Sequence, residues 1–488
     1  MSVPYEAPEL PILLTISSFI YLLNIAEYLF SSLINAGLIG SLSIGIIFGP
    51  EASNILPTYI QSSFIILGYI GLILLVFEAG LSTDINLLYD NIFLSLTVAL
   101  CGVLFPIAIS ILPLHFAFGY TTLQAFSAGV SLCSTSLGTT LALLRPELRQ
   151  TRTGAVLMSA ALLDDIAGLV LVGIIQNLPV TKSTSSSTSG TISWHTIVRP
   201  VLVSLAFAFV TPTCAYLLRK IATRAPPMWK NLLHGGRIQL FWMVFVLSGF
   251  VAGARYAGTS ELFGAYLAGA FLSNVFWLPS QNLGSDSHGS SPLLTPHETF
   301  TKYLLPLLQH IFSPIFFASI GAALPIRSLV SADGSRRVIW RGLVYSLLMI
   351  LAKAVVGFWL LVWPDRHSGL GWCGVRKKAG PKVTQTAREP ASPGATPNRE
   401  VGENQASDPV PALGMSRAHS ATLIGLAMVA RGEIALIVAE VARPLLTGGT
   451  PSQTAEPFAV VIWAVVVTTV SGALGVGFLL RSWDKRSL

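Results

Sequence analysis

Residues 158–175 read Met158-Ser159-Ala160-Ala161-Leu162-Leu163-Asp164-Asp165-Ile166-Ala167-Gly168-Leu169-Val170-Leu171-Val172-Gly173-Ile174-Ile175. Two adjacent carboxylates stand in the middle of a run long enough to cross a bilayer. Each costs at least about 2.5 to 3.5 kcal/mol at a helix centre in lipid, so either the acids serve a function or the segment is a loop. The apolar flanks, Met158 to Leu163 and Ile166 to Ile175, favour a true span that carries an intramembrane acidic pair. Successive helix positions diverge by about 100°, so the two carboxyls cannot stack face to face, but they can flank one edge of a cavity.

The surrounding chain supports the membrane reading. Of 488 residues, 52% are hydrophobic and 11% charged, and the mean hydropathy is +0.67. Soluble domains carry about 25% charged residues. Runs between Gly, Pro and charged punctuation give thirteen candidate spans, at 12–30, 35–49, 63–82, 92–117, 122–144, 151–176, 196–218, 238–256, 260–278, 303–324, 338–363, 420–444 and 458–480. The second is short for a full crossing. The expected fold is therefore all-α and polytopic, with the membrane unit over residues 1–481 and a short tail at 482–488. Three polar inserts read as loops: a Ser/Thr-rich stretch at 182–193, a Ser-rich one at 279–301, and a long, disordered one at 364–418. Glu6 and Glu9 without a basic region make the first run a retained span and not a signal peptide.

The net charge of +7 does not point to nucleic acid, because the basic residues sit in short loops between apolar runs. One set of loops holds 20 of them, from Arg145 to Arg486. The other holds 8: Lys182, Arg199, Arg255, Arg327, Arg336, Arg337, Arg341 and Arg443. The positive-inside rule then puts the C-terminus in the cytosol and the N-terminus outside or in a lumen. Neither G-x-x-x-x-G-K-[ST] nor G-x-G-x-x-G occurs, which argues against a nucleotide partner and leaves an ion gradient as the energy source. Cys101, Cys133 and Cys214 fall in apolar runs and Cys373 in an insert, so no disulfide framework is expected.

Thirteen spans admit two inverted six-span repeats around the seventh, a common plan of secondary transporters. That pairing matches span 5 with span 12, and both are interrupted. Span 5 carries Ser134-Thr135-Ser136 and span 12 carries Arg431-Gly432-Glu433. Paired unwound segments at midplane depth are the sequence pointer to an ion site. Gly432 permits a break, and Arg431 reads as a structural ion-pair member fastening it. Lys353, mid-span about ten residues before Trp363, wants an acidic partner, since a lone ammonium costs as much as a lone carboxylate. Glu78 is evenly divided between function and structural pairing. The run Gly264 to Ala270 reads as close helix packing. Glu78, Asp164, Asp165 and Glu433 against Lys353 and Arg431 leave two excess negative charges, which suits a cation or protons.

Taken in order, Gly45 to Pro50, Phe77 to Leu81, Ser134 to Gly138, Asp164-Asp165, Phe263 to Ser273, Pro314 to Gly321, Lys353 and Arg431-Gly432-Glu433 resemble the monovalent cation:proton antiporter family, also called the sodium/hydrogen exchanger family. Within it the chain is most similar to the bacterial sodium/proton antiporters of the Asp-Asp type. The resemblance implies that Asp165, with Asp164, carries the transported cation and protons, and that Asp164 exchanges a salt bridge with Lys353. It also implies a homodimer with a dimerisation domain and a mobile core, two crossing broken helices (spans 5 and 12), elevator-like alternating access, and a role in pH and salt homeostasis at a plasma membrane or an acidic organelle. No cofactor is expected beyond the transported ions, Na+ first, with Li+ or K+ as alternatives. Three features depart from the family pattern: Ala430 where a proline is usual, Glu78 with its likeness to the electroneutral branch, and the long insert at 364–418. Competing readings are a potassium/proton antiporter and a non-transporting sensor or channel on the same fold. A membrane aspartyl protease is disfavoured, because its two carboxyls must share a proton across a gap.

Overall fold

Backbone polar groups in hydrocarbon must pair within their own segment, so apolar runs of this length become helices. A computed structural model describes residues 9–34, 36–50, 52–82, 92–136, 152–178, 194–224, 236–275, 295–324, 332–363, 417–448 and 456–487. Helices account for almost all of them, and no strand occurs among the described residues. The helices are α1 (Leu10–Ile34), α2 (Gly37–Phe48), α3 (Thr58–Leu81), α4 (Ile92–Ile111), α5 (Thr122–Ser131), α6 (Arg152–Asn177), α7 (Trp194–Arg224), α8 (Gly236–Ala257) and α9 (Glu261–Val275). They continue with α10 (Pro296–Tyr303), α11 (Ser313–Ala322), α12 (Ala332–Ala354), α13 (Arg417–Ala427), α14 (Glu433–Leu446) and α15 (Glu456–Ser487). A π-helical turn at Leu112–Ala117 prolongs α4, another at Leu308–Phe312 leads into α11, and a 3-10 turn at Val355–Phe358 with a short helix at Trp359–Val362 prolongs α12.

Among the described residues, nine helices are long and apolar enough to cross a membrane. The other expected spans coincide with α2, α5, α9 and the α13/α14 pair. Of these, α2 has 12 residues and α9 has 15 described ones, while span 12 is interrupted in its middle. The molecule is an all-helical, polytopic membrane protein.

The helices pack in two groups. In one, α3 lies against α9 and α11, α2 against α1 and α11, and α8 against α9. In the other, α4 packs on α5, α6 and α12, α14 on α5 and α6, and α15 on α12, α13 and α14. The seventh span, α7, touches both groups through α6 and α9. The α3–α9 contact shows why the Gly264–Ala270 run is rich in small residues. A Cβ on Gly269 would run into the Phe77 carbonyl, and one on Gly80 into the carbonyl of Tyr266. Bare backbone lets the two helices touch.

One boundary is corrected. The Ser-rich loop expected over 279–301 ends earlier, because α10 starts at Pro296. Thr295 and Glu298 form a reciprocal capping box with proline at the first position, a strong helix start. Residues 482–487, within the expected tail, continue α15 as helix. The 182–193 loop lies outside the described residues, as does the 364–418 insert up to residue 416.

Candidate functional site

Span 5 begins at a capping box formed by Thr121 and Gln124 and stays helical only to Ser131. From Leu132 to Ser136 the chain leaves the helix, and it does so against the break in span 12, where Met428 to Gly432 separate α13 from α14. Each break supplies what the other lacks. The Ser136 N–H donates to the Ala430 carbonyl at 2.9 Å. Arg431 donates through Nη1 to the carbonyl of Ser134 at 2.7 Å and, at 3.4 Å, to that of Cys133. Behind the crossing, Thr469 of α15 donates to the Arg431 carbonyl at 2.9 Å. Several of the backbone groups freed by unwinding are thus satisfied at the crossing, as an apolar interior requires.

Two expectations change here. Arg431 was expected in an ion pair, but its described partners are backbone carbonyls. A fully buried guanidinium carries donors enough to take over orphan carbonyls of an unwound helix. Its Nε and Nη2 have no partner among the described residues. Gly432 was expected for its conformational freedom, yet its φ of −124° is open to any residue. The reason for glycine is proximity, since a Cβ there would stand 2.7 Å from Ser136 Oγ and 2.8 Å from its Cβ. Glu433 opens α14.

α6 presents the acidic pair to this crossing. Asp164 and Lys353 of α12 are both fully buried, and Lys353 Nζ lies 2.5 Å from Asp164 Oδ2. Thr135, from the unwound part of span 5, closes a triangle. Its hydroxyl donates to Asp164 Oδ2 at 2.9 Å and accepts from Lys353 Nζ at 2.9 Å, with the Met428 carbonyl 3.4 Å away. Asp164 Oδ1 has no hydrogen-bond partner among the described residues. Asp165 is buried next to it, 9% exposed. One turn further, Gly168 faces Ser134 Cβ and the Ile434 side chain, so this stretch of α6 lies directly on both breaks. Ser134 Oγ is buried without a partner among the described residues.

The structure therefore brings Asp164, Asp165, Lys353, Ser134, Thr135, Ser136, Arg431 and Gly432 into one region. Glu78 is half-buried on α3, in the other helix group, and among the described residues the side chains hydrogen-bonded to Asp164 come from α12 and span 5. Gly102 of α4 was missed by sequence reasoning. It faces both members of the pair, and a glycine in an apolar span carries no signal of that role.

A family model described as "Sodium/hydrogen exchanger, transmembrane" matches residues 16–482. The chain belongs to the sodium/hydrogen exchanger family. These are transporters and not enzymes, and this exchanger-family chain is accordingly an integral, multi-pass membrane protein. It is 26% identical over 323 residues to the probable Na(+)/H(+) antiporter GerT of Bacillus cereus, covering 65% of this chain and 73% of GerT. It is 24% identical over 435 residues to the Na(+)/H(+)-K(+) antiporter GerN of the same organism, covering 88% and 87%. Its fold is similar to that of the sodium proton antiporter MjNhaP1 from Methanocaldococcus jannaschii at pH 8, with a TM-score of 0.59 at 13% identity over 96% and 98% of the two chains.

Proposed function

We propose that this exchanger-family protein moves a monovalent cation, Na+ by preference, against protons, and that Asp165 with Asp164 is the carrier. The observation that carries this reading is the Lys353–Asp164 pair held at the crossing of two broken helices. A buried ion pair is a poor source of stability but a natural switch, because a competing cation can replace the ammonium. Carboxylate oxygens, the Thr135 hydroxyl and unwound carbonyls are the hard oxygen donors such an ion takes.

A cation at Asp165 competes with Lys353 for the acidic site and releases it, and the returning empty carrier holds protons instead. Two protons then move against one cation, so exchange is electrogenic. The core group, which contains both breaks, slides past the other group in an elevator-like cycle, with the N-terminus outside, the C-terminus cytosolic, and two copies of the chain paired through the group containing α1. Its role is pH and salt homeostasis at a plasma or acidic organelle membrane.

A second reading, in which K+ is carried as well, is favoured by the similarity to GerN, whose name includes K+. Proteoliposomes containing a pH dye separate the two. Dequenching by Na+ or Li+ but not K+ supports the first, equal response to K+ the second, and no cation-dependent proton flux removes both.

A further inference from the structure

Gly102, buried on α4, forms one wall of the Lys353–Asp164 pair. A Cβ there would stand 3.1 Å from each Asp164 carboxylate oxygen and 3.2 Å from Lys353 Nζ. That is tighter than side-chain carbons normally sit, so the pair closes against bare backbone. The neighbouring residue holds this turn in place. Trp359, in the helical extension beyond α12, donates its indole N–H to Cys101 Sγ at 3.1 Å. The turn has need of a pin, because Pro106 has no N–H to give to the Gly102 carbonyl four residues before it. α4 itself contributes no charge. The charged and titratable groups around Asp164 come from other elements: Lys353 from α12, Arg431 from the span 12 break, Cys133 from span 5, and Asp165 beside it on α6.

We propose that Gly102 is a positioning residue for exchange: its bare Cα sets how closely Lys353 meets Asp164, and so how strongly the lysine competes with an incoming cation. This rests on the reading of the acidic pair as the cation site. A methyl group at residue 102 must displace something by a few tenths of an ångström. The most movable atom is Lys353 Nζ, at the end of a flexible stem. A looser pair yields more readily to the cation, so cation affinity rises as the ammonium is displaced.

The test is a calorimetric titration of purified protein with NaCl at fixed pH, using wild type, Gly102→Ala, Lys353→Gln and the double variant. Gly102→Ala should bind Na+ roughly 3- to 10-fold more tightly than wild type, the size expected of coupling between touching groups. Lys353→Gln should also bind more tightly, and on that background Gly102→Ala should have no further effect. Should Gly102→Ala fail to fold, Trp359→Phe releases the pinned turn instead, and the affinity should rise about 2- to 3-fold, again only when Lys353 is present. An unchanged affinity, an equal change on both backgrounds, or weaker binding by Lys353→Gln overturns the proposal. Asp165→Asn in the same titration separates the two levels. Full Na+ binding by that variant refutes the acidic pair as the site, whereas lost binding with wild-type behaviour of Gly102→Ala refutes Gly102 alone.

Discussion

The backbone N–H of Ser136 donates to the carbonyl of Ala430 at 2.9 Å, joining the unwound segments of spans 5 and 12 directly. This one bond links residues almost three hundred positions apart, and it lies beside the Thr135 hydroxyl that contacts both Lys353 and Asp164. Thr135, one residue before this bond, thus stands between the two breaks and the ion pair.

Asp165→Asn keeps the shape of the side chain and removes its charge. Exchange should vanish for every cation while the purified protein retains its thermal melt. Measured dequenching at near wild-type rate would take Asp165 out of the carrier role.

Lys353→Gln leaves Asp164 without its ammonium in a fully buried place. Breaking a buried pair from one side typically costs about 3–5 kcal/mol, reduced here to the extent that Asp164 takes up a proton. The melting temperature should fall and partly recover in Lys353→Gln/Asp164→Asn. Exchange by Lys353→Gln should lose its response to an imposed membrane potential, because one mobile proton site is gone. If wild-type exchange already ignores the potential, the ratio is one to one and Glu78 becomes the next residue to substitute.

Gly432→Ala forces a methyl group against Ser136. Overpacking of this kind costs about 1–3 kcal/mol, and the strain falls on the crossing itself, so exchange should drop together with thermal stability. Gly249→Ala, on α8 with nothing among the described residues within 4 Å of the added carbon, is the control and should melt at or slightly above wild type.

Tyr120, in the turn between span 4 and α5, donates to Glu456 Oε1 at 3.0 Å, while Arg341 binds the same oxygen at 2.7 Å. Burial pushes the Tyr120 phenol above its ordinary value. The Glu456 carboxylate adds to this, and neighbouring Arg341 opposes it. The folded state therefore holds this proton more tightly than the unfolded chain. Its contribution is complete below the unfolded value of about 10 and is lost as pH rises above it. Tyr120→Phe should cost about 0.5–1.5 kcal/mol at neutral pH. Its melting temperature should fall less than that of wild type between pH 9 and pH 11, and parallel curves would contradict the assignment.

The spans were legible because hydrocarbon leaves the backbone few alternatives, and Asp164, Asp165 and Lys353 were legible because a charge in an apolar run is costly enough to stand out. The interruption at Arg431-Gly432-Glu433 showed for the same reason. The role of Gly432 was not legible. Its freedom of φ is a property of the residue type, but its use is a close approach to Ser136, which depends on a helix far away in the sequence. Arg431 was likewise read from its charge as an acid's partner, when it binds carbonyls that become available only once span 5 has unwound beside it.

Sequence by itself determined that this chain is an all-helical membrane protein with intramembrane acids, a buried lysine and at least one broken span, since transfer free energy acts residue by residue and can be summed along the chain. Tertiary structure alone decided that Thr135 bridges the pair, that Gly102 walls it, that the two breaks satisfy each other's backbone, and that Glu78 stands in the other helix group. Those are properties of distance between segments remote in sequence, set by which helix faces pack together. Hydropathy is blind to them, because in lipid every apolar face looks alike until small residues let two backbones touch.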